Sequence, residues 1–289
     1  MKRNQIAGID LGGTQLRGAL VIDGQMHAYQ AQKILANESA ENVFGQLTAF
    51  IDKFYKQGLD GLGIGLPGLV EKSSGLVHDV VNIPAWEELP LQEMLENKYK
   101  IPVAVENDSN CFAWGEFNYG KGRGAEHMLG ITIGTGLGTG IIINKKLYSG
   151  ISGGAGEFGM APYLDQTIEY YASGQFFQNV YGIDGEIVFE RAMKNEKGAI
   201  EMYEEMGKHL GIGLRSMLYA LDMDLIVLGG SVSKAYDLFA PAMWKQVKLF
   251  AYRKTLQRLK IVVSELENSA ILGAASLCES ESVSESGKS

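Results

Sequence analysis

Two stretches of this sequence share one pattern, and it constrains the fold more than anything else in the chain. IDLGGTQLRGALVIDG (residues 9–24) and GITIGTGLGTGIIINKK (residues 130–146) each run from a short apolar segment, through a glycine-rich turn carrying a threonine, into a second β-rich segment. Each reads as a β-hairpin with an exposed, flexible tip. A chain that opens two successive portions in this way is expected to be a duplicated fold.

The elements around the hairpins alternate. Ile6–Asp10 and Arg17–Ile22 are predicted strands joined by the Gly12-Gly13 turn. Ser39 is a predicted N-cap for a helix in which Val43, Leu47, Phe50, Ile51 and Phe54 recur at helical spacing until Gly58. GLGIGLPG then predicts a buried strand, Leu91–Tyr99 a helix, PVAVE a strand, and NDSNCFAWGEFNYG a helix closed by Gly120. The second portion restarts with strands at Met128–Ile133 and Ile141–Lys145 and passes through an irregular glycine-rich segment. It continues with an amphipathic helix over Met202–Leu221, buried strands in DLIVLGG and KIVVSEL, and a last helix in NSAILGAASLCES. The expected class is α/β with two related halves, placed at 1–107 plus 270–280 and at 108–269, with 281–289 a polar, disordered tail.

Composition narrows the partners. With 289 residues, 46% of them hydrophobic, the chain can fill two ordinary cores. A net charge of −8 without a long basic run argues against nucleic acid or an anionic membrane as the main partner and favours a small soluble one. No apolar run reaches the ~20 residues of a membrane helix. The apolar run in MKRNQIAGID is too short for a signal peptide, and Cys111 and Cys278 lack metal-type spacing, so a cytoplasmic location is expected.

Several nucleotide-binding patterns can be tested against the glycine turns. A dinucleotide fingerprint needs a helix after its glycines, whereas Gly134, Gly136, Gly138 and Gly140 lead into the β-branched run Ile141–Ile143. No G-x-x-x-x-G-K-[ST] string and no protein-kinase signature occurs. What remains is a hairpin tip whose bare backbone N–H groups can approach an anion, helped by the hydroxyls of Thr14 and Thr135. A single such tip is more often structural; two, each opening one half of a duplicated chain, could clamp a polyphosphate.

The motifs IDLGGT, GLPG, VENDSN, GTGLGTG, GAGEFG, YYASG and LGGSVS, in this order from about Ile6 to about Ser276, resemble those of the ROK (repressor, open reading frame, kinase) sugar kinases, within the actin/hexokinase superfamily. The resemblance is to members of the glucokinase and N-acetylmannosamine kinase kind. It implies two ribonuclease-H-like domains with an interdomain cleft, a homodimer, and transfer of phosphate from ATP to a hexose, O6 of glucose foremost. It further implies that Asp10 holds Mg²⁺ through water, that Gly12, Gly13 and Thr14 face the β- and γ-phosphates, and that Thr135 and Gly136 close on them from the opposite side. Asp108 matches the family's general base. Gly68, Asn82, Asn107, Glu157 and Glu169 match its sugar-binding positions, and Gly229, Gly230 and Ser231 its adenosine-binding turn.

Each assignment has a plainer alternative. Asp10 at a strand end can be a turn residue, Asp108 at a helix start is very often an N-cap, Gly229–Ser231 can be an ordinary αβ turn, and the two glutamates can be solvated loop carboxylates. The sequence also departs from the family. Met160 stands where the resemblance implies a histidine that touches sugar and ligates zinc. The eight residues between Met160 and Glu169 contain no Cys or His, so no zinc site of the usual N/S type is expected. His27, His78, His127 and His209 are scattered without triad or ligand spacing, and Trp86 and Trp114 read as core or interface residues. Substrates left open are N-acetylmannosamine, allose and fructose beside glucose. A catalytically silent sugar sensor is the alternative of another class. ROK repressors carry an N-terminal winged-helix segment, and with five residues before Ile6 none is expected here.

Overall fold

The first glycine turn joins β1 (Ile6–Leu11) to β2 (Gln15–Ile22), paired antiparallel from Ile6 opposite Val21 to Leu11 opposite Leu16. The computed structural model describes residues 4–56 and 58–286, with side chains described through Glu279. Two units divide the chain: Met1–Gly124, Gly140–Ala155 and Glu265–Ser289 make the first, Ala125–Thr139 and Gly156–Ser264 the second.

In the first unit β3 (Gln25–Lys33) continues the meander. It is absent from the sequence reading because its side chains are mostly exposed and polar, which suits an edge strand. Helix α1 (Ala40–Tyr55) follows, with the Ser39 hydroxyl accepting the Asn42 N–H at 3.3 Å as its N-cap. Its Val43, Leu47, Phe50, Ile51 and Phe54 are fully buried, each worth roughly 1.5–3 kcal/mol of removal from water. β4 (Gly61–Leu66), buried along its whole length, lies parallel to β1. Three short strands, β5 (Leu69–Val70), β6 (Val77–His78) and β7 (Glu88–Leu89), form a small sheet before α2 (Leu91–Tyr99). β8 (Val103–Asn107) completes the main sheet in the order β3-β2-β1-β4-β8, with β1, β4 and β8 parallel.

Helix α3 (Asp108–Tyr119) and helix α10 (Ser269–Ser286) pack on this sheet and on each other. Their crossing is close enough that a Cβ on Gly273 would lie 2.8 Å from the Gly115 nitrogen, and the buried Glu116 carboxylate accepts the Ser269 hydroxyl at 2.7 Å and the Lys121 N–H at 3.0 Å. This packing corrects the expected boundary between 107 and 108: α3 belongs to the first unit because its partner helix does. The polar tail 281–289, expected to be disordered, is helical as part of α10 through Ser286, and residues 287–289 lie outside the described residues.

The second sheet runs in the matching order β11-β10-β9-β14-β15, built from β9 (Met128–Ile133), β10 (Leu137–Ile143), β11 (Lys146–Leu147), β14 (Leu225–Gly229) and β15 (Lys260–Val263). β14 is parallel to both β9 and β15. The duplication read from the two hairpins is therefore present as a repeated strand order. Where the sequence predicts an irregular segment, the chain forms the hairpin β12 (Pro162–Tyr163) and β13 (Gln166–Thr167) and the short helices α4 (Ile168–Ala172), α5 (Gln175–Tyr181) and α6 (Gly185–Met193). Helix α7 (Lys197–Leu221) buries Met206, Leu210, Leu214, Met217 and Leu218, and packs on α8 (Tyr236–Val247), which precedes α9 (Arg253–Arg258). Among the described residues no helix is long and apolar enough to cross a membrane.

Candidate functional site

Asp10, Gly12, Gly13, Thr14, Gly68, Asn82, Asn107 and Asp108 fall in the first unit, and Thr135, Gly136, Glu157, Glu169, Gly229, Gly230 and Ser231 in the second. In the first unit the parallel strands set their positions. Asp10 on β1 lies opposite Gly65 on β4, Gly65 opposite Glu106 on β8, and Leu66 opposite Asn107. The carboxyl ends of parallel strands in an α/β sheet are where ligands bind, because the strand-to-helix loops gather there.

Asn107, rather than Asp108, caps α3: its side-chain oxygen accepts the Ser109 and Asn110 N–H groups at 2.9 and 3.1 Å. Its amide nitrogen donates to the Gly68 carbonyl at 3.2 Å, so two of the expected sugar-binding positions are tied to each other. The ordinary structural explanation for Asp108 is thereby removed, since the capping task is done by its neighbour. Asn82, with a φ of +70°, abuts the first glycine turn; a Cβ on Gly13 would lie 2.5 Å from the Asn82 Cβ.

Three carboxylates converge at this edge. Burial, with the charge of Asp108 second, raises the Asp10 pKa to about 6 against a smaller opposing pull from Arg17. Burial also raises Asp108, despite the Ser109 hydroxyl donating to it at 3.2 Å. Glu106, which sequence reasoning missed, is raised by burial although it accepts the Asn107 N–H at 2.9 Å and the Asn110 amide at 3.0 Å. The Cys111 thiol beneath them is pushed up by burial and by Glu106, Asp108 and Asp10 together, which places all three carboxylates within electrostatic reach of one point. Negative charge held out of water beside bare glycine backbone is an arrangement that a divalent cation would relieve. One strand-end carboxylate suits Mg²⁺, which keeps most of its waters. Among the described residues no cluster of three or more His, Cys, Asp and Glu side chains could hold a metal on protein ligands alone.

In the second unit Gly229 on β14 lies opposite Thr132 on β9, so the Gly229–Ser231 turn stands beside the start of the second glycine turn. Ser233 steadies it by donating to the Gly230 carbonyl at 2.8 Å. Thr135 is exposed at the tip. Glu157 precedes a 3₁₀ turn, Phe158–Met160, that leaves Met160 60% exposed. Glu169, expected among the sugar-binding carboxylates, accepts the Leu137 N–H at 2.7 Å.

The β12–β13 hairpin occupies the stretch where the family resemblance implies a zinc loop. Tyr163 meets the His209 Nδ1 at 2.9 Å, and its ring and that of Tyr171 pack on the imidazole with centroids 5.6 and 5.0 Å away. Burial lowers the His209 pKa, and the Glu205 carboxylate opposes that shift. Tyr171 also donates to Asp165 in the hairpin. His209 had no recognisable sequence context because its partner is 46 residues away.

A repeated antiparallel-then-parallel sheet whose hairpins turn at glycine-rich tips defines the class as the two-domain actin/hexokinase-like α/β proteins, and comparison with known proteins agrees. The ROK family sequence model matches residues 6–281, and the chain belongs to that family. A glucokinase of Halalkalibacterium halodurans is 28% identical over 303 residues, covering 91% of each chain. The xylose repressor of Bacillus subtilis is 26% identical, covering 96% of this chain and 77% of its own length. The crystal structure of a ROK family glucokinase from Streptomyces griseus in complex with glucose and AMPPNP is 26% identical, superposes with a TM-score of 0.83, and covers 96% of this chain and all of that one.

Proposed function

We propose that this chain is an ATP-dependent hexose kinase that acts first on O6 of glucose, with Asp108 as general base. The observation that carries the reading is a desolvated pair, Asp108 and Asp10, at the carboxyl edge of parallel strands, with Asp108 relieved of capping by Asn107. A carboxylate whose pKa is raised by burial is a stronger base than one in water. In the proposed step the sugar hydroxyl oxygen attacks the γ-phosphorus, the bond from that phosphorus to the β,γ-bridging oxygen breaks, and the hydroxyl proton passes to Asp108. ADP leaves, and Asp108 returns the proton to solvent. Mg²⁺ held near Asp10 through water would neutralise charge on the β- and γ-phosphate oxygens.

The remaining residues orient the substrates. Gly12, Gly13 and Thr14, and separately Thr135 and Gly136, offer backbone N–H and hydroxyl groups to phosphate oxygens. Gly229, Gly230 and Ser231 receive the nucleoside. In the first unit Gly68 and Asn107 act as one bonded pair toward the sugar, with Asn82 against the first glycine turn; in the second unit Glu157 is the proposed sugar-binding carboxylate. The glucokinases among the relatives support this reading. The xylose repressor in the same family supports a second one, sugar sensing without turnover. Release of ADP measured across glucose, N-acetylmannosamine, allose and fructose separates them, and no release with any sugar would end the kinase proposal.

Met160 bears on the choice of sugar. Glucose ranks first on the glucokinase relatives, and N-acetylmannosamine next because an exposed thioether packs readily against an acetyl group. A polar group restored there should sharpen selectivity, since discrimination at a hydroxyl follows the hydrogen bond made to it. The Met160→His variant is therefore expected to change the ratio of kcat/KM between glucose and N-acetylmannosamine by about tenfold or more. An unchanged ratio would show that Met160 does not face the sugar.

A further inference from the structure

Of the three carboxylates at the edge of the first sheet, Asp10 and Asp108 take part in the proposed step and Glu106 does not. Glu106 is nonetheless buried, and one of its oxygens, Oε1, accepts two hydrogen bonds: the Asn107 N–H at 2.9 Å and the Asn110 side-chain amide at 3.0 Å. Asn107 is the last residue of β8 and Asn110 lies in the first turn of α3, so the two bonds straddle Asp108. Strand register puts Glu106 on the side where α3 packs. Asp10, Gly65 and Glu106 are in line across β1, β4 and β8, which directs their side chains to one face. Helix α3 lies over that face, since a Cβ on Gly65 would lie 3.1 Å from the Cys111 Sγ and 3.5 Å from the Asp108 Cα.

The contacts of the Asp108 carboxylate are with Ser109 and its own N–H, groups that move with the helix start. Its position is therefore set by the backbone of the strand-to-helix junction. Asn107 sits at that junction with φ −60° and ψ 143°, an extended cap residue before helical ones. Rotation of the 106–107 peptide would swing its side chain off the Ser109 and Asn110 N–H groups and off the Gly68 carbonyl. The Glu106 oxygen restrains that rotation by holding the Asn107 N–H, and it restrains the helix side through Asn110. A neutral acceptor would satisfy the same donors at a lower cost of burial. An ionised carboxylate accepts bonds about twice as strong, which makes the junction stiffer.

We infer that Glu106 is a positioning residue for the phosphoryl transfer: it fixes the junction between β8 and α3 on both sides of Asp108 and so holds that carboxylate where it meets the attacking hydroxyl. The inference rests on the reading of Asp108 as general base.

A double-mutant cycle tests it. Glu106→Ala should lower kcat about a hundredfold, the scale of a base displaced by ~1 Å, but by less than about threefold in the Asp108→Asn background. Glu106→Gln retains a side-chain oxygen that can accept both N–H groups and should lose no more than about fivefold. A loss of equal size with and without the Asp108 carboxyl would mean a general weakening of the fold and overturns the inference, as does undiminished kcat in Glu106→Ala. Equal losses in the Gln and Ala variants overturn it too, because the accepted bonds are then not what matters. Should Glu106→Ala fail to fold, Asn110→Ala breaks the helix-side bond alone, with an expected loss of about tenfold that again disappears beside Asp108→Asn. Amide hydrogen exchange of the ligand-free chain gives a readout free of turnover. Residues 107–111 should exchange about tenfold or more faster in Glu106→Ala and within about threefold of wild type in Glu106→Gln. Unchanged exchange in Glu106→Ala overturns the inference. Wild-type protein that phosphorylates no hexose ends the kinase proposal, whereas faster exchange in Glu106→Ala still establishes Glu106 as the residue that fixes the Asp108 backbone.

Discussion

Asp108→Asn is expected to lower turnover about a thousandfold or more while leaving hexose affinity within a few-fold of wild type. The loss combines the general-base contribution, worth about 10²–10⁴, with the acceptor that aligns the attacking hydroxyl. The substitution is nearly isosteric, and because Asn107 caps α3, the helix start keeps its satisfied N–H groups. Folding should not suffer, since what is removed is a carboxyl that burial already disfavours in its charged form. A thermal melt beside the kinetic assay therefore separates chemistry from stability. The wild-type rate should fall as pH drops through the raised Asp108 pKa, because only the ionised carboxylate accepts a proton, and that limb should vanish from the residual activity of the variant. Turnover near the wild-type level would remove Asp108 from the mechanism.

Asp10→Asn should raise stability at neutral pH and have a comparable effect on function. In the ligand-free protein the Asp10 pKa is raised from 3.8 to about 6, so between those values the folded state holds a proton that the unfolded state has released. Stability contributed by Asp10 is thus present below pH 3.8 and lost as pH rises through about 6. Near pH 7.5 the charged, buried carboxylate is a cost, and the variant is expected to be more stable by about 1–3 kcal/mol. That advantage should shrink as pH is lowered through 6 toward 4. Added ATP and Mg²⁺ should raise the melting temperature of wild type much more than that of the variant, since in the proposed reading the charged Asp10 carboxylate is the group that the hydrated cation would face. Calorimetric melts at several pH values, with and without nucleotide, give both readings. A variant that is less stable at pH 7.5, or an advantage independent of pH, would show that Asp10 is not held in this way.

Features written in local chemistry were legible in the sequence, and those that depend on distant partners were not. Glycine turns between β-rich runs announced both hairpins, and the spacing of Val43, Leu47, Phe50, Ile51 and Phe54 announced α1, because turn geometry and helical periodicity act over a few residues. β3 escaped because an exposed edge strand carries no apolar alternation. The boundary after 107 was misplaced because α3 is assigned by its packing on a helix more than 150 residues later, as the Ser269–Glu116 bond with its separation of 153 shows. VENDSN singled out Asp108 as the proposed base without revealing that Asn107 is the cap; both residues are acceptable caps by type, and only geometry decides. The attachment of Ser173 to Thr135 spans 38 residues and joins a hydroxyl to a carbonyl, a pairing that leaves no pattern in sequence.

The order in which the chain leaves the ribosome gives the interleaved units a further consequence. The first unit contains residues from both ends of the chain, and α10 packs against α3, β1 and β4. During synthesis the sheet of that unit waits, with its α10-facing side uncovered, while the entire second unit is made. The Gly115 and Gly63 positions that α10 will approach stay open to water or to other chains throughout that interval. The second unit, complete by Ser264, is free to fold first although it begins later. Chaperone demand should therefore peak late in translation, and a nascent chain arrested before Ser269 should present a protease-resistant C-terminal portion and a cleavable N-terminal one.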